Sequence, residues 1–498
     1  VLNVAGQSAS VLVVDNVVPP TPPTPPTPQT FTLTADKFSY IGGAANDTFV
    51  GGLNITGQQT LLPQDTIDGG GGINSLIATV VQNVTPAQIR NVQNIDLTFQ
   101  GINNPDVNLS NATGVATVAN TGSIANAFIR GLSTATAIRH LNTGTNLALQ
   151  FLGVTGSSDS AALTLSGITA GALTLNGIET LNLTSSGSAA NVLTSLTDAA
   201  LTTLNLGGTA GLTINNALAA VTTVAQPVGG ALSGALNLTF TQGAVTATGG
   251  SGNDTFTVNG AGNANLSGGA GNETFIFANT FFTAADTVTG GDGTNTLRVS
   301  AADAANYVAP TTATVTGVQT LSISDALGGN LNASGIASSF TTVNLRGGTN
   351  AAATLTGNAG TFGVTIGADG STAGVTVGDL TINDSGVTTT DVLNLTNANT
   401  AAQQAFGGAA RSLFLNGYET VNLATGVSAS GNQLINAINL QGDAAAATVL
   451  NISGANSLGT VAAPTGVITA GSINASGLTG TAALVMGAAA VGATSITG

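Results

Sequence analysis

The residues most suited to chemistry lie in a glycine-rich stretch, Gly249–Leu297, that repeats a nine-residue pattern. Each unit approximates G-G-x-G-x-D-x-U-x, in which U is an apolar residue. Three units lie almost end to end and a fourth follows a short insertion: Gly249–Thr257, Asn259–Ser267, Gly268–Ile276 and Gly290–Arg298. Glycines permit tight turns, and the carbonyl, Asp and Asn oxygens of such turns are hard ligands that suit Ca²⁺. The succession of units favours calcium binding over ordinary turns, which Gly, Asp and Asn also form.

A second glycine-rich region lies earlier in the chain. It comprises Gly42–Val50 and Asp65–Leu76, which match Gly249–Thr257 and Asp286–Leu297 in order. We therefore interpret the chain as a tandem duplication with insertions. The predicted calcium ligands, through side chains or backbone carbonyls, are Asn46, Asp47, Asp65, Asp68, Gly70, Gly72, Asn74, Gly250, Gly252, Asp254, Gly269, Gly271, Glu273, Asp286, Gly291, Asp292 and Asn295.

The elements that position these loops are predicted to be short β-strands. Runs such as ALTLSG, TLNLTSS and TTVNLRG alternate apolar residues with Thr, Asn or Ser, and they recur at spacings of about ten to twenty residues. The residues at position U, Phe256, Leu266, Phe275 and Leu297, should point into the core. The predicted fold class is all-β: a right-handed parallel β-solenoid or β-roll with calcium-binding blocks, in two tandem modules.

Two further features of the chain concern local structure. The phrases GIETLNL and GYETVNL place Glu179 and Glu419 at equivalent positions, which indicates a structural role for both residues. Helical candidates are scarce, and they are limited to one or two turns at Thr85–Val92 and at Ala401–Phe406.

The segment order suggests how the chain is divided. We expect a strand-like N-terminal segment (1–18), a Pro/Thr linker (19–30), a first calcium-binding solenoid module (31–248) and a second one (249–498). Repeated X-Pro units adopt extended polyproline II structure, so the linker is a stiff spacer. We therefore predict that segment 1–18 pairs with a neighbouring subunit; folding back onto its own module is the alternative.

Composition excludes several functional classes. Charged residues make up 6% of the 498 residues, and 22 acidic against 7 basic residues give a net charge of −15. Such a chain has no basic surface for nucleic acid. Without cysteine it has no disulfide or thiol chemistry, and no stretch is apolar and long enough to predict a membrane span. The first residue is not Met and no charged-then-apolar leader follows, so we expect a processed or partial product.

Residues for catalysis are scarce. His140 is the single histidine and no HExxH motif occurs, which excludes a zinc protease of that type. A serine nucleophile needs a basic partner, and Lys37, the single lysine, lies close to the linker. With three Glu, no Trp and three Tyr, glycosidase and lectin functions are weakly supported. We predict that the protein is not an enzyme and that His140 is a strand or turn residue.

The motifs NDTF, GGSGNDTF, GGAGNETF and DTVTGGDGTNTL resemble those of RTX (haemolysin-type calcium-binding repeat) proteins, which Gram-negative bacteria export by type I secretion. More narrowly, the chain is similar to the Ala-, Thr- and Gly-rich surface-layer proteins of Caulobacter type. The resemblance implies a Ca²⁺-binding β-roll that assembles outside the cell. This sequence departs from the family's pattern at four positions. There the expected ligand Asp is replaced by Ala264, Glu273, Asn74 or Asn295, which should weaken or remove some calcium sites.

Motifs and resemblance together predict a structural subunit of a calcium-dependent extracellular polymer, either a surface layer or a matrix fibre of the kind found in biofilms. The expected partner is the protein itself, as a homopolymer, and the expected location is the surface or matrix of a Gram-negative bacterium. The alternative is an RTX-type adhesin that binds a surface or glycan, which makes cell-surface polysaccharide a second candidate partner.

Overall fold

The computed structural model describes most of the chain. The described residues are 2–4, 7–9, 26–227, 230–308, 310–312, 314–367, 378–398, 411–426, 435, 437–443, 448–459, 467–486, 493 and 495–498. Within them almost all regular structure is β, and the helices are Ala301–Asn306 and Ala333–Ile336.

Two long sheets, each of fourteen parallel strands, form the walls of a β-solenoid. The N-terminal long sheet contains, in order, Thr30–Thr32, Thr48–Gly51, Ser75–Val80, Asn94–Phe99, Thr117–Thr121, Ala137–Leu141, Ser160–Ser166, Thr180–Ser186, Thr203–Gly208, Thr223–Ala225, Thr246–Thr248, Asn265–Gly269, Thr287–Gly291 and Val315–Thr316. The C-terminal long sheet contains Asn191–Leu193, Leu212–Leu218, Leu236–Phe240, Thr255–Val258, Thr274–Phe277, Thr296–Val299, Thr320–Ile323, Thr342–Leu345, Thr361–Ile366, Val392–Asn397, Thr420–Ala424, Val449–Gly454, Ser472–Leu478 and Ser495–Thr497.

Three short parallel sheets add further walls to parts of the solenoid. The four-stranded sheet consists of Ser39–Ile41, Thr66–Asp68, Gln88–Arg90 and Ala112–Thr113. The five-stranded sheet consists of Asp106–Asn108, Ala127–Leu132, Leu147–Phe151, Ala172–Thr174 and Ser195–Thr197. The six-stranded sheet consists of Asn330–Asn332, Ala353–Thr356, Leu380–Asn383, Ser412–Asn416, Ala437–Gln441 and Val467–Thr469. The predicted all-β parallel solenoid is thus confirmed.

The strands form where apolar and small polar residues alternate. In Thr180–Ser186, Leu181 and Leu183 are buried while the intervening polar residues face outward. Alternation with period two is what a sheet with one buried face requires. The stacking of turns then aligns equivalent side chains, and one hydrophobic core runs through the solenoid.

The residues at position U of the nonapeptides lie in this core, as predicted. Phe256, Leu266, Phe275 and Leu297 are all fully buried. The ring of Phe256 stacks between two others, with centroid distances of 6.4 Å to Phe240 and 6.1 Å to Phe275.

Both long sheets continue through the predicted boundary between modules at residues 248 and 249. Thr246–Thr248 pairs in parallel with Asn265–Gly269, and Leu236–Phe240 pairs with Thr255–Val258. The two modules therefore share sheets and core. The duplication remains a prediction about the sequence.

The N-terminal segment is described only in part. Leu2–Val4 and Gln7–Ala9 form an antiparallel pair. The remainder of segment 1–18, and residues 19–25 of the linker, lie outside the described residues, so the predicted pairing with another subunit is untested.

The first helical candidate, Thr85–Val92, is not a helix. Gln88–Arg90, within the first candidate, is a strand of the four-stranded sheet because Ile89 packs into the core beside Ile67. The second candidate, Ala401–Phe406, lies outside the described residues. The sequence did not lead us to expect the helix Ala301–Asn306. Its N-cap is Ser300, whose Oγ accepts a hydrogen bond of 3.0 Å from the backbone N–H of Asp303.

Candidate metal-binding loops

The sixth residue of each complete nonapeptide lies directly before a strand and is buried. Asp254, Glu273 and Asn295 occupy this place on successive turns of the C-terminal long sheet, each with at most 1% of its surface exposed. Asp254 Oδ1 accepts the backbone N–H of Leu236 at 2.8 Å, and Asn295 Oδ1 accepts that of Glu273 at 2.8 Å. Gln319 Oε1 accepts the N–H of Asn295 at 2.8 Å. We call Asp254, Glu273 and Asn295 the second column.

The first glycine-rich block builds an equivalent column on the N-terminal long sheet. Asp47 Oδ1 accepts the N–H of Gln29 at 2.7 Å, and Asn74 Oδ1 accepts that of Asp47 at 2.7 Å. Gln93 Oε1 accepts the N–H of Asn74 at 2.8 Å. We call Asp47 and Asn74 the first column. In both columns a side-chain oxygen satisfies a buried backbone donor of the preceding turn, which an apolar residue would leave unpaired.

The asparagines that replace ligand aspartates bind backbone carbonyls through their amide groups. Asn74 Nδ2 donates to the carbonyls of Gly71 at 2.9 Å and Asn91 at 2.8 Å. Asn295 Nδ2 donates to the carbonyl of Gly317 at 2.9 Å. Carbonyl oxygens are also ligands for Ca²⁺, and here the amide N–H groups use them as hydrogen-bond acceptors instead.

Glu273 differs from every other member of the columns. It is 1% exposed, and neither Oε1 nor Oε2 accepts a hydrogen bond of good geometry within the described residues; the nearby backbone N–H groups of Glu273 and Asp254 lower its pKa only in part. Burial raises the pKa of Glu273 to about 7, and the neighbouring charge of Asp254 contributes to the rise. Burial likewise raises the pKa of Asp254 to about 6. An orphaned buried carboxylate beside a second one fits a cation, because the ion would compensate both charges.

The carboxylates of Asp65 and Asp286 are also buried, but they lie at the starts of other strands. Asp286 Oδ1 accepts the N–H of Ala264 at 2.7 Å, and its Oδ2 accepts that of Thr283 at 2.7 Å. Asp65 Oδ2 accepts the N–H of Leu62 at 2.8 Å, whereas its Oδ1 has no hydrogen-bond partner in the described part of the chain. Burial raises the pKa of both groups.

The remaining predicted side-chain ligands are more accessible. Asp68 pairs with the guanidinium of Arg90 at 2.7 Å, and hydrogen bonds, of which that from Asn91 is the strongest, lower its pKa. Asp292 is exposed. Asn46 is exposed too, and its Oδ1 accepts the N–H of Ile73 at 2.8 Å.

The predicted glycines let successive loops stack in direct backbone contact. A Cβ on Gly269 or Gly291, both at positive φ, would overlap the carbonyl oxygen of the loop one turn earlier. Gly250 O accepts the N–H of Ala270 at 3.1 Å, and Gly269 O accepts that of Asp292 at 3.0 Å. The same close stacking occurs at Gly70, Gly72, Gly252 and Gly271.

The structure thus brings the predicted ligands together in groups rather than as one site. Asp254, Glu273 and Asn295 share the second column; Asp47 and Asn74 share the first. Asp65, Asp68, Asp286 and Asp292 belong to neither column.

Acidic residues outside the glycine-rich blocks do the same work, and sequence reasoning missed Asp391 among them. Asp391 Oδ1 accepts the N–H of Gly360 at 2.6 Å, immediately before a strand. Glu179 and Glu419, correctly expected to be structural, accept the backbone N–H groups of Asp159 and Asp391. The sequence signal that could have identified them is an acidic residue directly before a strand whose first residue is Thr or Val.

His140 is a strand residue, as expected, and its side chain faces the core. It is 1% exposed, and its Nδ1 lies 3.0 Å from Asn120 Nδ2, so a neutral imidazole accepts this hydrogen bond. Burial lowers the pKa of His140 to about 4. Within the described residues, no helix has the length and apolar character needed to span a bilayer.

Comparison with known proteins adds no relative: no family model matches the chain, and no curated protein matches its sequence significantly. The resemblance to RTX and surface-layer proteins therefore rests on the motifs in the glycine-rich blocks.

Proposed function

We propose that this protein is a structural subunit of a calcium-dependent extracellular polymer, assembled from copies of itself into a surface layer or matrix fibre. The proposal joins two parts, a calcium requirement and self-association, and different observations support each part.

The calcium requirement is supported above all by the buried, unpaired carboxylate of Glu273. A charged group without a donor destabilises the fold unless it takes up a proton or lies beside a cation. Glu273 and Asp254, with glycine carbonyls of the stacked loops, would hold the ion. Calcium would supply charge compensation and tie consecutive turns together.

Self-association is supported by the one-dimensional stacking of the turns. In each long sheet the terminal strands, Thr30–Thr32 and Val315–Thr316 in one and Asn191–Leu193 and Ser495–Thr497 in the other, have a single neighbour among the described strands. Strand edges carry unpaired backbone groups that another chain can bind. A head-to-tail contact that does not close generates an open assembly.

Outward-facing residues add a second kind of surface. Thr255, Thr274, Thr296, Thr320 and Thr342 pair in register along the C-terminal long sheet. Such rows of hydroxyl groups could contact a second solenoid or a polysaccharide. The low content of charged residues, 6%, reduces repulsion between copies.

Electron microscopy and light scattering of the purified chain, with and without added Ca²⁺, test the proposal. We expect regular fibres or sheets with calcium and dispersed particles after chelation. Dispersed rods in both conditions that bind polysaccharide would favour the adhesin. Polymers that are indifferent to chelation would refute the calcium requirement.

A further inference from the structure

We propose that a groove on the outer face of the five-stranded sheet binds a hexopyranose residue of a neutral polysaccharide. The groove has a volume of about 310 Å³. Its lining includes an aromatic ring, a small apolar side chain and uncharged polar side chains: Phe128, Ala148, Asn104, Asn126, Asn146 and Thr174. Sites for small ligands begin at about 300 Å³ and combine apolar walls with a few placed polar groups. The groove therefore has the size and the kind of lining that a single sugar ring needs.

Phe128 occupies a position that faces outward from the sheet. On the strand Ala127–Leu132 its two neighbours are buried, whereas Phe128 itself is half-buried. Its in-register neighbour on the next turn is Ala148, a small side chain that leaves space beside the ring. A ring that stays partly in water can stack against the apolar C–H face of a sugar and so complete its burial. The absence of Trp and the three Tyr gave sugar binding only weak support, but here Phe supplies the aromatic platform.

Arg130, two residues further along the same strand, holds the ring in place. Its guanidinium carbon lies 5.4 Å from the centroid of the Phe128 ring. Its Nε donates to Asp106 Oδ1 at 3.0 Å, and the two side chains form an ion pair. The groove lies toward the start of the strand, where Asn126 and Asn146 are, so the guanidinium does not fill it. Because Asp106 compensates Arg130, this pair adds no net charge beside the groove, which favours a neutral ligand.

Asn126 and Asn146 provide amide donors at fixed positions. Asn126 Oδ1 accepts the backbone N–H of Asn146 at 3.0 Å, and Asn146 Oδ1 accepts that of Ala172 at 2.8 Å. These bonds engage the carbonyl oxygens, so the Nδ2 groups remain to donate to a ligand in the groove that both residues line. Strands of adjacent turns lie about 4.8 Å apart, so the two amides can reach hydroxyl groups at one edge of the same sugar ring. An aromatic ring with amide donors beside it is thus suited to a pyranose.

Isothermal titration calorimetry of the full chain with neutral hexasaccharides of glucose, mannose, galactose and N-acetylglucosamine tests the groove. We expect at least one of these probes to bind saturably. Phe128→Ser should weaken that binding about tenfold, because the platform is lost. Phe128→Tyr keeps a ring and should bind within about twofold of wild type. Absence of binding by every probe, or equal affinity in Phe128→Ser, would overturn the proposal.

Phe414→Ser is the matched control for the loss of an outward-facing ring. Phe414 faces outward from the six-stranded sheet, with Thr381 and Asn439 as its in-register neighbours. It lies outside the groove, so its replacement should leave the saccharide affinity unchanged. An equal loss of affinity in Phe414→Ser and Phe128→Ser would show nonspecific contact between sugars and exposed rings, and it would refute the site.

Asn146→Asp tests the amide donor without disturbing the ring. The carboxylate keeps an oxygen for the N–H of Ala172 but has no N–H of its own, so affinity should fall severalfold while Tm stays unchanged. Asn176→Asp is its control, because Asn176 Oδ1 accepts the N–H of Phe151 at 2.9 Å and the residue does not line the groove. The same loss of affinity in both variants would attribute the effect to the added charge and contradict the amide contacts.

A second copy of the chain is the alternative occupant of the groove. If light scattering shows that Phe128→Ser lowers the molecular mass in solution and no saccharide binds, the groove is a protein interface and the saccharide site is refuted. The site uses none of the predicted calcium ligands, so it can fail separately from the proposed polymer. Saccharide binding should persist after chelation even where the polymer disperses, and its loss in a chelated chain that stays folded would contradict this assignment.

Discussion

The two glycine-rich blocks have the same order of motifs, yet their buried ligand residues precede strands of different long sheets. In the first block Asp47 and Asn74 precede strands of the N-terminal long sheet. In the second block Asp254, Glu273 and Asn295 precede strands of the C-terminal long sheet. The motif therefore specifies a loop followed by an inward-facing strand, and the preceding turns decide which wall receives it.

The columns also differ in what they leave unpaired. In the first column both carboxylate oxygens of Asp47 accept backbone N–H groups, from Gln29 and Gly43, and Asn74 supplies its own donors to carbonyls. In the second column neither carboxylate oxygen of Glu273, which lies between Asp254 and Asn295, accepts a hydrogen bond of good geometry within the described residues. We infer that the second column needs a cation more than the first does.

The largest effect should come from the core beneath the second column. Phe256→Ala removes a ring packed between Phe240 and Phe275 and should cost about 3–5 kcal/mol of unfolding free energy. Denaturant titration measures this loss, which added calcium should not restore. Phe49→Ala in the first block, where Phe31 stacks on one side at 5.0 Å, is the matched variant. Full recovery of Phe256→Ala by calcium would contradict the assignment.

Charge removal should have opposite signs in the two columns. Without calcium, Glu273→Gln should raise Tm because it removes a buried unpaired charge. It should also remove the second column's calcium stabilisation, which is about 2.7 kcal/mol when calcium is a hundredfold above its Kd. Asp47→Asn should lower Tm because one of two satisfied acceptors becomes a donor. Changes of the same sign in both variants would remove the distinction between the columns.

The pH dependence of calcium-free protein should separate Glu273 from His140. The pKa of Glu273 is raised from 4.5 to about 7. Its contribution to the free energy of unfolding is therefore fully present below pH 4.5 and is lost as pH rises through 7. The pKa of His140 is lowered from 6.5 to about 4, so its contribution is present above pH 6.5 and is lost as pH falls through 4. Melting curves across this range should show both slopes, and Glu273→Gln should reduce only the loss at higher pH, to which Asp254, with its pKa raised to about 6, also contributes.

The sequence was sufficient for the fold but only partly sufficient for the site. Alternating residues and the buried U positions such as Phe256 predict parallel turns, because local pattern determines which face is buried. The repeats also place Asp254 and Glu273 on adjacent turns, since two nonapeptides, one on each long sheet, make one turn. The ion pair between Asp68 and Arg90, by contrast, could not be predicted, because it depends on the register between strands of adjacent turns.

The smallest effect should be found at the accessible acidic residues, where the first block can be tested as a calcium site. Asp68→Asn breaks an ion pair with Arg90, whose side chain is 52% exposed, so it should cost at most about 1 kcal/mol. Asp292→Asn, at an exposed residue of the second block, should change Tm less still. Because Arg90 already compensates Asp68, we expect Asp68→Asn to leave the calcium-induced rise in Tm unchanged. A smaller rise in this variant would instead place Asp68 among the ligands and make the two blocks alike in their need for the ion.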